Sequence, residues 1–231
     1  MKKAVFFDFY NTLVRFDPPR EELHAWALAQ VGINVSPQAL RRALPAADEF
    51  YHREALRQPP AQRGPEELKA FYAQYEARVL NGLGIEISPD LAYQVLSQVR
   101  ARGWKLRLYP DVLPTLEQLR GRSLKLGVIS NVDRDIRPYC EELGLDSQFS
   151  FLITSAGLGV GKPDPAIFVE ALKRAGVHPF EAVHVGDTYS ADVLGARGAG
   201  ILGVLIDRED SYPEYQDCPR LKDLSQIVNL L

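Results

Sequence analysis

A chain of 231 residues, 46% apolar and 25% charged, can bury one large core or a core with an inserted unit. Its net charge of −3, 27 basic residues against 30 acidic, offers no electrostatic footprint for nucleic acid or an anionic membrane. No apolar run is long enough for a bilayer span, and Asp8 breaks the apolar stretch after Lys2-Lys3 too early for a signal sequence, so a cytoplasmic protein is expected.

The first predicted element is a buried strand, Ala4-Val5-Phe6-Phe7, which runs straight into Asp8. About ninety helix-like residues follow. Leu23, Trp26, Ala27 and Gln30-Val31 recur at helical spacing after Pro18-Pro19. Ser36-Pro37 and Ser88-Pro89 each read as an N-cap followed by a first-turn proline, and Gly64-Pro65 opens a helix with an apolar stripe of Leu68, Phe71, Tyr72 and Tyr75. Gln58-Pro59-Pro60 breaks this helical block. From Tyr109-Pro110 the pattern alternates. Helices are expected at Leu113–Leu119, Ile136–Leu143 and Pro165–Ala175, with strands at Leu124–Ile129, Phe149–Thr154, Ala182–Val185 and Ile201–Ile206. Such alternation predicts an α/β fold with a Rossmann-like, doubly wound parallel sheet carrying an all-helical insert.

Parallel strands bring their C-terminal ends to one edge, so residues far apart in sequence converge there. Four ends carry chemistry: Asp8; Ser130-Asn131; Lys162, in the stiff segment Gly159-Val160-Gly161-Lys162-Pro163-Asp164-Pro165; and Asp187 with Asp192, in Gly186-Asp187-Thr188-Tyr189-Ser190-Ala191-Asp192. Each also has an ordinary structural reading, as a turn cap, a helix N-cap, a solvated lysine or a pair of capping acids. Three carboxylates near one point repel strongly unless a cation sits between them, which favours a metal over two capping acids. His184, inside a strand and flanked by apolar residues, reads as a core histidine; His24, His52 and His178 show no partner pattern.

In this order and spacing, the four motifs resemble the haloacid dehalogenase superfamily of hydrolases. The resemblance covers the whole chain and implies residues 1–14 and 108–231 as the catalytic core and 15–107 as a helical cap that selects a small-molecule substrate. It implies Asp8 as nucleophile, Thr12 holding the transferred group or orienting Asp8, and Ser130 with its neighbouring amides holding anionic oxygens. Lys162 would pair with Asp8 and with the substrate's charge. Asp8, the backbone carbonyl of Tyr10 and Asp187 would bind Mg²⁺, with Asp192 holding Lys162 or a water on the ion. Asn11 stands where the family usually has glycine, and asparagine tolerates the left-handed backbone that position needs.

Tyr10 replaces the acid–base Asp usual two residues after the nucleophile. A phenol with a pKa near ~10 is a poor base at neutral pH. The leading expectation is therefore a Mg²⁺-dependent phosphatase that works through an aspartyl-phosphate and favours good leaving groups. A 2-haloacid dehalogenase, the branch that carries Tyr at this position, is the alternative, with a cap arginine among Arg20, Arg41, Arg42 and Arg53 clamping the substrate carboxylate. A third class keeps the fold as a binding or regulatory protein without turnover. The aromatic residues Phe50, Tyr51, Phe71, Tyr72 and Tyr75 read as helix packing, and oligomeric state is left open.

Overall fold

The structure is a computed structural model covering residues 1–231 other than Pro59, Asp133 and Ser211, and excluding the side chains of His52, Leu56 and Ala61. Pro59, in the expected break, and the His52 side chain therefore lie outside the described residues. The chain divides into two compact units, residues 1–15 with 106–231 and residues 16–105.

The larger unit is built on a six-stranded parallel sheet. Its strands are β1 (Ala4–Phe7), β4 (Lys125–Ser130), β5 (Phe151–Thr154), β6 (Ala182–Gly186), β7 (Leu202–Ile206) and β8 (Arg220–Leu221), in the spatial order β5-β4-β1-β6-β7-β8. Two further short strands, β2 (Val14–Asp17) and β3 (Lys105–Leu108), pair with each other at the two points where the chain crosses between the units. Every residue of β1 is buried, and alternate residues feed opposite faces. Val5 and Phe7 join a core with Val112, Leu116 and Leu119 of α5 (Val112–Gly121) and with Cys140 of α6 (Arg137–Glu142). Ala4 and Phe6 join a second core with Ile167, Phe168, Ala171 and Leu172 of α8 (Pro165–Ala175). Two apolar faces on one sheet are what an uninterrupted apolar strand demands, and they make the sheet doubly wound. Short helices α7 (Ser155–Leu158) and α9 (Gly195–Gly198) complete the layers.

The smaller unit holds α1 (Arg20–Gln30), α2 (Pro37–Arg57), α3 (Pro65–Asn81) and α4 (Pro89–Arg102). Ser36 and Ser88 cap α2 and α4 as their sequence suggests, accepting from the amides of Ala39 and Leu91. Phe50, Phe71 and Tyr75 lie in its core, with Tyr51 and Tyr72 packed against them. Tyr51 and Phe71 sit with ring centroids 5.1 Å apart, so the aromatic set is packing.

The structure differs from the sequence reading in three places. Trp26 is not on the buried stripe of α1; Leu23, His24, Ala27 and Leu28 are, while Trp26 is 36% exposed with the Arg102 guanidinium 4.4 Å from its ring. The strands β2, β3 and β8 were not foreseen, being only two to four residues long and not uniformly apolar. His24 does have a partner: its Nδ1 lies 3.1 Å from the buried Glu76 carboxylate, 52 residues away.

Candidate active site

Adjacent strands β4, β1 and β6 run parallel and in register, with Phe7 level with Val128 and Val185. Their C-terminal tips therefore deliver Ser130, Asp8 and Asp187 to one edge. The Asp8 amide donates to the Val185 carbonyl (2.8 Å), fixing the backbone where the strand stops. The next turn is closed by Asn11 N–H to the Val14 carbonyl (2.7 Å) and by the amides of Leu13 and Val14 to the Phe9 carbonyl. Asn11 takes φ 56°, the left-handed conformation expected of it. Its side chain adds something glycine cannot, an Nδ2–H donated to Asp187 Oδ2 (3.1 Å).

Lys162 is the hub. It is 2% exposed, and its Nζ donates to Asp8 Oδ1 and Asp192 Oδ1, both at 2.6 Å. Its backbone is held by Asn131 through a reciprocal amide pair, Asn131 Nδ2–H to the Lys162 carbonyl and Lys162 N–H to Asn131 Oδ1, each 2.7 Å. Asn131 thus mounts the lysine loop, while Ser130 sits buried at the tip of β4.

Asp192 reaches Lys162 because the segment after Asp187 winds as a π-helical turn, Tyr189–Leu194, pressed onto the sheet. Two glycines make room for it. A Cβ on Gly186 would lie 2.1 Å from Asp192 Cγ, and one on Gly203 would lie 2.5 Å from the Val193 carbonyl oxygen. Asp192 Oδ2 accepts the Thr188 amide (3.0 Å), and Oδ1 lies 2.8 Å from His184 Nε2. His184 is indeed fully buried, with its ring edge-on to Phe168, but it also supports the site. Burial holds its pKa below the usual histidine value, partly opposed by Asp192. The ring is therefore neutral, and because an ionised carboxylate only accepts, the proton belongs on Nε2. Nδ1 is left as a buried acceptor without a partner.

Burial pushes the Asp8 carboxyl up to about 6, with Lys162 opposing and Asp192 adding to the rise. Burial works against the Lys162 ammonium too, but Asp192 and Asp8 outweigh it and hold its pKa above the ordinary lysine value. For Asp192 the desolvation is overcome by Lys162 and His184, which hold it below the usual carboxylate range. Asp187 is raised well above that range, by desolvation first and then by the charges of Asp8 and Asp192. The one ammonium of Lys162 bonds to Asp8 and Asp192, and among the described residues Asp187 bonds to no cation and feels Lys162 only through space.

Tyr10 packs differently from its neighbours in the motif. Its ring lies edge-on to Phe9 (5.1 Å) against the first core cluster, and its backbone bridges to Val14. Thr12 is fully buried, its Oγ1 has no hydrogen-bond partner among the described residues, and its carbonyl accepts from Arg208 Nη2 (2.9 Å). Arg208 was missed by the sequence reading. It follows Asp207 at the end of β7, so the strand-end logic applied to that fifth strand would have found it.

Within the smaller unit, the arginines considered as substrate clamps are largely engaged. Arg20 places both terminal nitrogens on Asp48 (2.9 and 2.7 Å) and meets the Tyr75 hydroxyl. Arg41 pairs with Glu21 (2.7 Å) and Arg53 lies 3.6 Å from Glu54, while Arg42 is exposed.

A family model described as haloacid dehalogenase-like hydrolase matches residues 2–200. A glyceraldehyde 3-phosphate phosphatase from Methanopyrus kandleri is 34% identical over 100% of this chain and 99% of its own length. The zebrafish (Danio rerio) haloacid dehalogenase-like hydrolase domain-containing protein 3 is 43% identical over 48% of this chain, a match that spans less than half, 46%, of that relative's length. The crystal structure of a 2-haloacid dehalogenase from Pseudomonas syringae superposes with a TM-score of 0.59 at 30% identity, covering 100% of this chain and 98% of that one. The chain belongs to the haloacid dehalogenase-like hydrolase family.

Proposed function

We propose that this hydrolase is a Mg²⁺-dependent phosphatase that transfers a phosphoryl group to Asp8. The observation that carries the reading is Asp187, a carboxylate beside Asp8 whose ionisation burial and its neighbours oppose. Attack by Asp8 on an anionic haloacid gains nothing from a second acid there, whereas a cation between the two relieves the repulsion. Among the described residues no three His, Cys, Asp or Glu side chains form a ready cation cage. Mg²⁺ does not need one, since it is commonly held by one or two carboxylates, with waters and substrate phosphate completing the octahedron. Asp8, the Tyr10 carbonyl and Asp187 fit that role, and the ion would supply charge neutralisation for an incoming phosphate dianion. Asp192, whose oxygens accept from Lys162, His184 and Thr188, acts through Lys162.

In the first step Asp8 Oδ forms a bond to phosphorus as the bond from phosphorus to the ester oxygen breaks. The leaving alkoxide or phenoxide carries away the electron pair and takes its proton from water. In the second step a water oxygen bonds to phosphorus, the Asp8–phosphorus bond breaks, and inorganic phosphate leaves with the water's proton lost to solvent. Lys162 holds Asp8 in its anionic, attack-ready form and offsets charge on the transferring group. Thr12 Oγ1, buried and unpartnered, is available to donate to a phosphoryl oxygen. Nothing on Tyr10 replaces the missing general acid, help worth roughly 10²- to 10⁴-fold in rate, so substrates with good leaving groups are favoured. Turnover of p-nitrophenyl phosphate that requires Mg²⁺, stops with EDTA and is lost in Asp8→Asn tests the reading; an EDTA-insensitive rate, or no rate beyond that of the Asn variant, overturns it.

Tyr10 supports a second reading, the 2-haloacid dehalogenase, in which Asp8 attacks carbon and halide departs unprotonated. The occupied fork of Arg20 removes one candidate clamp for the substrate carboxylate. Halide release from 2-chloropropionate that persists in EDTA would favour this reading over the first.

A further inference from the structure

Arg208 gathers three segments that are distant in sequence. Its Nη1 donates to Asp111 Oδ2 (2.7 Å) and its Nη2 to the Thr12 carbonyl (2.9 Å), while its guanidinium carbon lies 3.8 Å from the centre of the Tyr109 ring. Asp111 Oδ2 is itself pinned by the Leu224 amide (2.6 Å). Both ends of the pair are largely buried, with side chains 13% and 10% exposed. The chain after β1, the chain after β3 and the chain after β7 thus meet on one planar cation.

The place of contact matters. Thr12 lies four residues past Asp8 and directly after the left-handed Asn11. The turn's backbone bonds run from Asn11 to Val14, from Leu13 and Val14 to Phe9, and from the Tyr109 amide to the Leu13 carbonyl, while the Asn11 side chain donates to Asp187 Oδ2 (3.1 Å). Among the described residues Thr12 Oγ1 has no hydrogen-bond partner, so the backbone position of Thr12 and the packing around it set where that hydroxyl lies. Arg208 supplies a side-chain restraint on that backbone at the Thr12 carbonyl itself. A guanidinium can serve a carboxylate, a carbonyl and an aromatic face at once, whereas a lysine ammonium is a point charge that holds one or two of them.

We propose that Arg208 is a positioning residue of the nucleophile turn: by anchoring the Thr12 carbonyl to Asp111 and Tyr109 it fixes Thr12 and the approach of Asp8. Arg208 spends one N–H of each terminal nitrogen on Asp111 and on the Thr12 carbonyl, so its role is argued through the Thr12 backbone and not through contact with the reacting atoms. The catalytic consequence rests on the phosphatase reading; the mechanical one does not.

The test uses the full chain with Arg208→Lys and Arg208→Ala. Hydrogen exchange of the amides of residues 9–14 should quicken in both variants, while exchange in β4 and β6 stays at the parent rate. With p-nitrophenyl phosphate and Mg²⁺, kcat should fall ~10- to 100-fold with KM little changed, because a misplacement of the reacting group acts on the chemical step. Guanidinium at millimolar concentration should restore part of the Arg208→Ala rate, which a general loss of stability would not allow. Parent-like exchange in the turn of a folded variant overturns the proposal, as does quickened exchange spread evenly over the sheet. If Arg208→Ala does not fold, Arg208→Lys decides alone. If the parent chain shows no phosphatase turnover, the functional reading fails while the exchange data still judge Arg208.

Discussion

Replacing His184 with phenylalanine removes one hydrogen bond from beneath the site and puts a larger ring in a fully buried place. The six-membered ring can keep the edge-on contact with Phe168, 5.1 Å in the parent, but overpacking costs ~1–3 kcal/mol. What is lost is the Nε2–H donated over 2.8 Å to the buried, ionised Asp192. A bond to a charged group contributes ~1.5–3 kcal/mol. Against this, the variant no longer buries Nδ1 without a partner, a relief of ~1 kcal/mol. Asp192 keeps Lys162 and the Thr188 amide, so the hydrogen-bond balance is a loss of ~0.5–2 kcal/mol, and with overpacking the cost is ~1.5–5 kcal/mol. For a chain of this size that lowers Tm by ~3–20 °C. If the same bond orients Asp192 toward Lys162, kcat should also fall several-fold at unchanged KM. His184→Gln, whose amide nitrogen can occupy the place of Nε2, should recover much of both losses. Thermal melting and p-nitrophenyl phosphate kinetics on the three proteins measure this directly. A Phe variant that melts and turns over as the parent does would refute the assignment of a structural bond to Asp192.

Asp8 makes a pH prediction whose sign follows from its raised pKa of about 6, against an ordinary 3.8. A carboxyl raised by folding adds stability that is complete below the unfolded value and lost as pH climbs through the folded one. Asp192, depressed, has the opposite sign, but its window lies below the ordinary carboxylate range. In EDTA, Asp8→Asn should therefore gain in Tm relative to the parent as pH rises from about 4 to about 7; a difference that does not change with pH contradicts the shift. Gly186→Ala places a Cβ 2.1 Å from Asp192 Cγ, so Asp192 must leave Lys162 and His184 or the turn must lift. A loss of ~1–3 kcal/mol by urea unfolding is expected, together with loss of turnover.

The parts of the site legible in the sequence are those whose signal is local. Asp8 stands out because an ionisable residue ends an all-apolar run, and Asp187 because it follows a buried strand whose polar member is His184; parallel strands bring such end residues to the sheet edge. Lys162 stands out through the glycines and prolines that mount it. Relations across the chain left no local trace: Asn131 reads as a helix cap until it is seen bonding the Lys162 backbone 31 residues away, and His184 reads as core until the π-helical turn folds Asp192 back over it. Trp26 was misplaced for a different reason. Spacing defines a stripe, but with apolar or neutral residues at 23, 24, 27 and 28 the helix could rotate by one position, and burial of His24 against Glu76 selected that rotation.

Tyr10 shows the same limit from the other side. Sequence reasoning treats the position as a missing acid. The structure gives its ring to the core beside Phe9 while leaving its carbonyl in the turn that follows the nucleophile. Packing draws on the Tyr10 ring and the proposed metal site on its carbonyl, different atoms of the same residue, so on the proposed mechanism the substitution removes acid–base help without dismantling the turn. That separation also explains why Arg208 and Asn11 matter more here than a local reading suggests. With no second carboxylate in the motif, the turn is held by a guanidinium on the Thr12 carbonyl and an amide on Asp187. On the proposed mechanism the rate then depends on how well Asp8 is aimed, and on the leaving group's own willingness to depart.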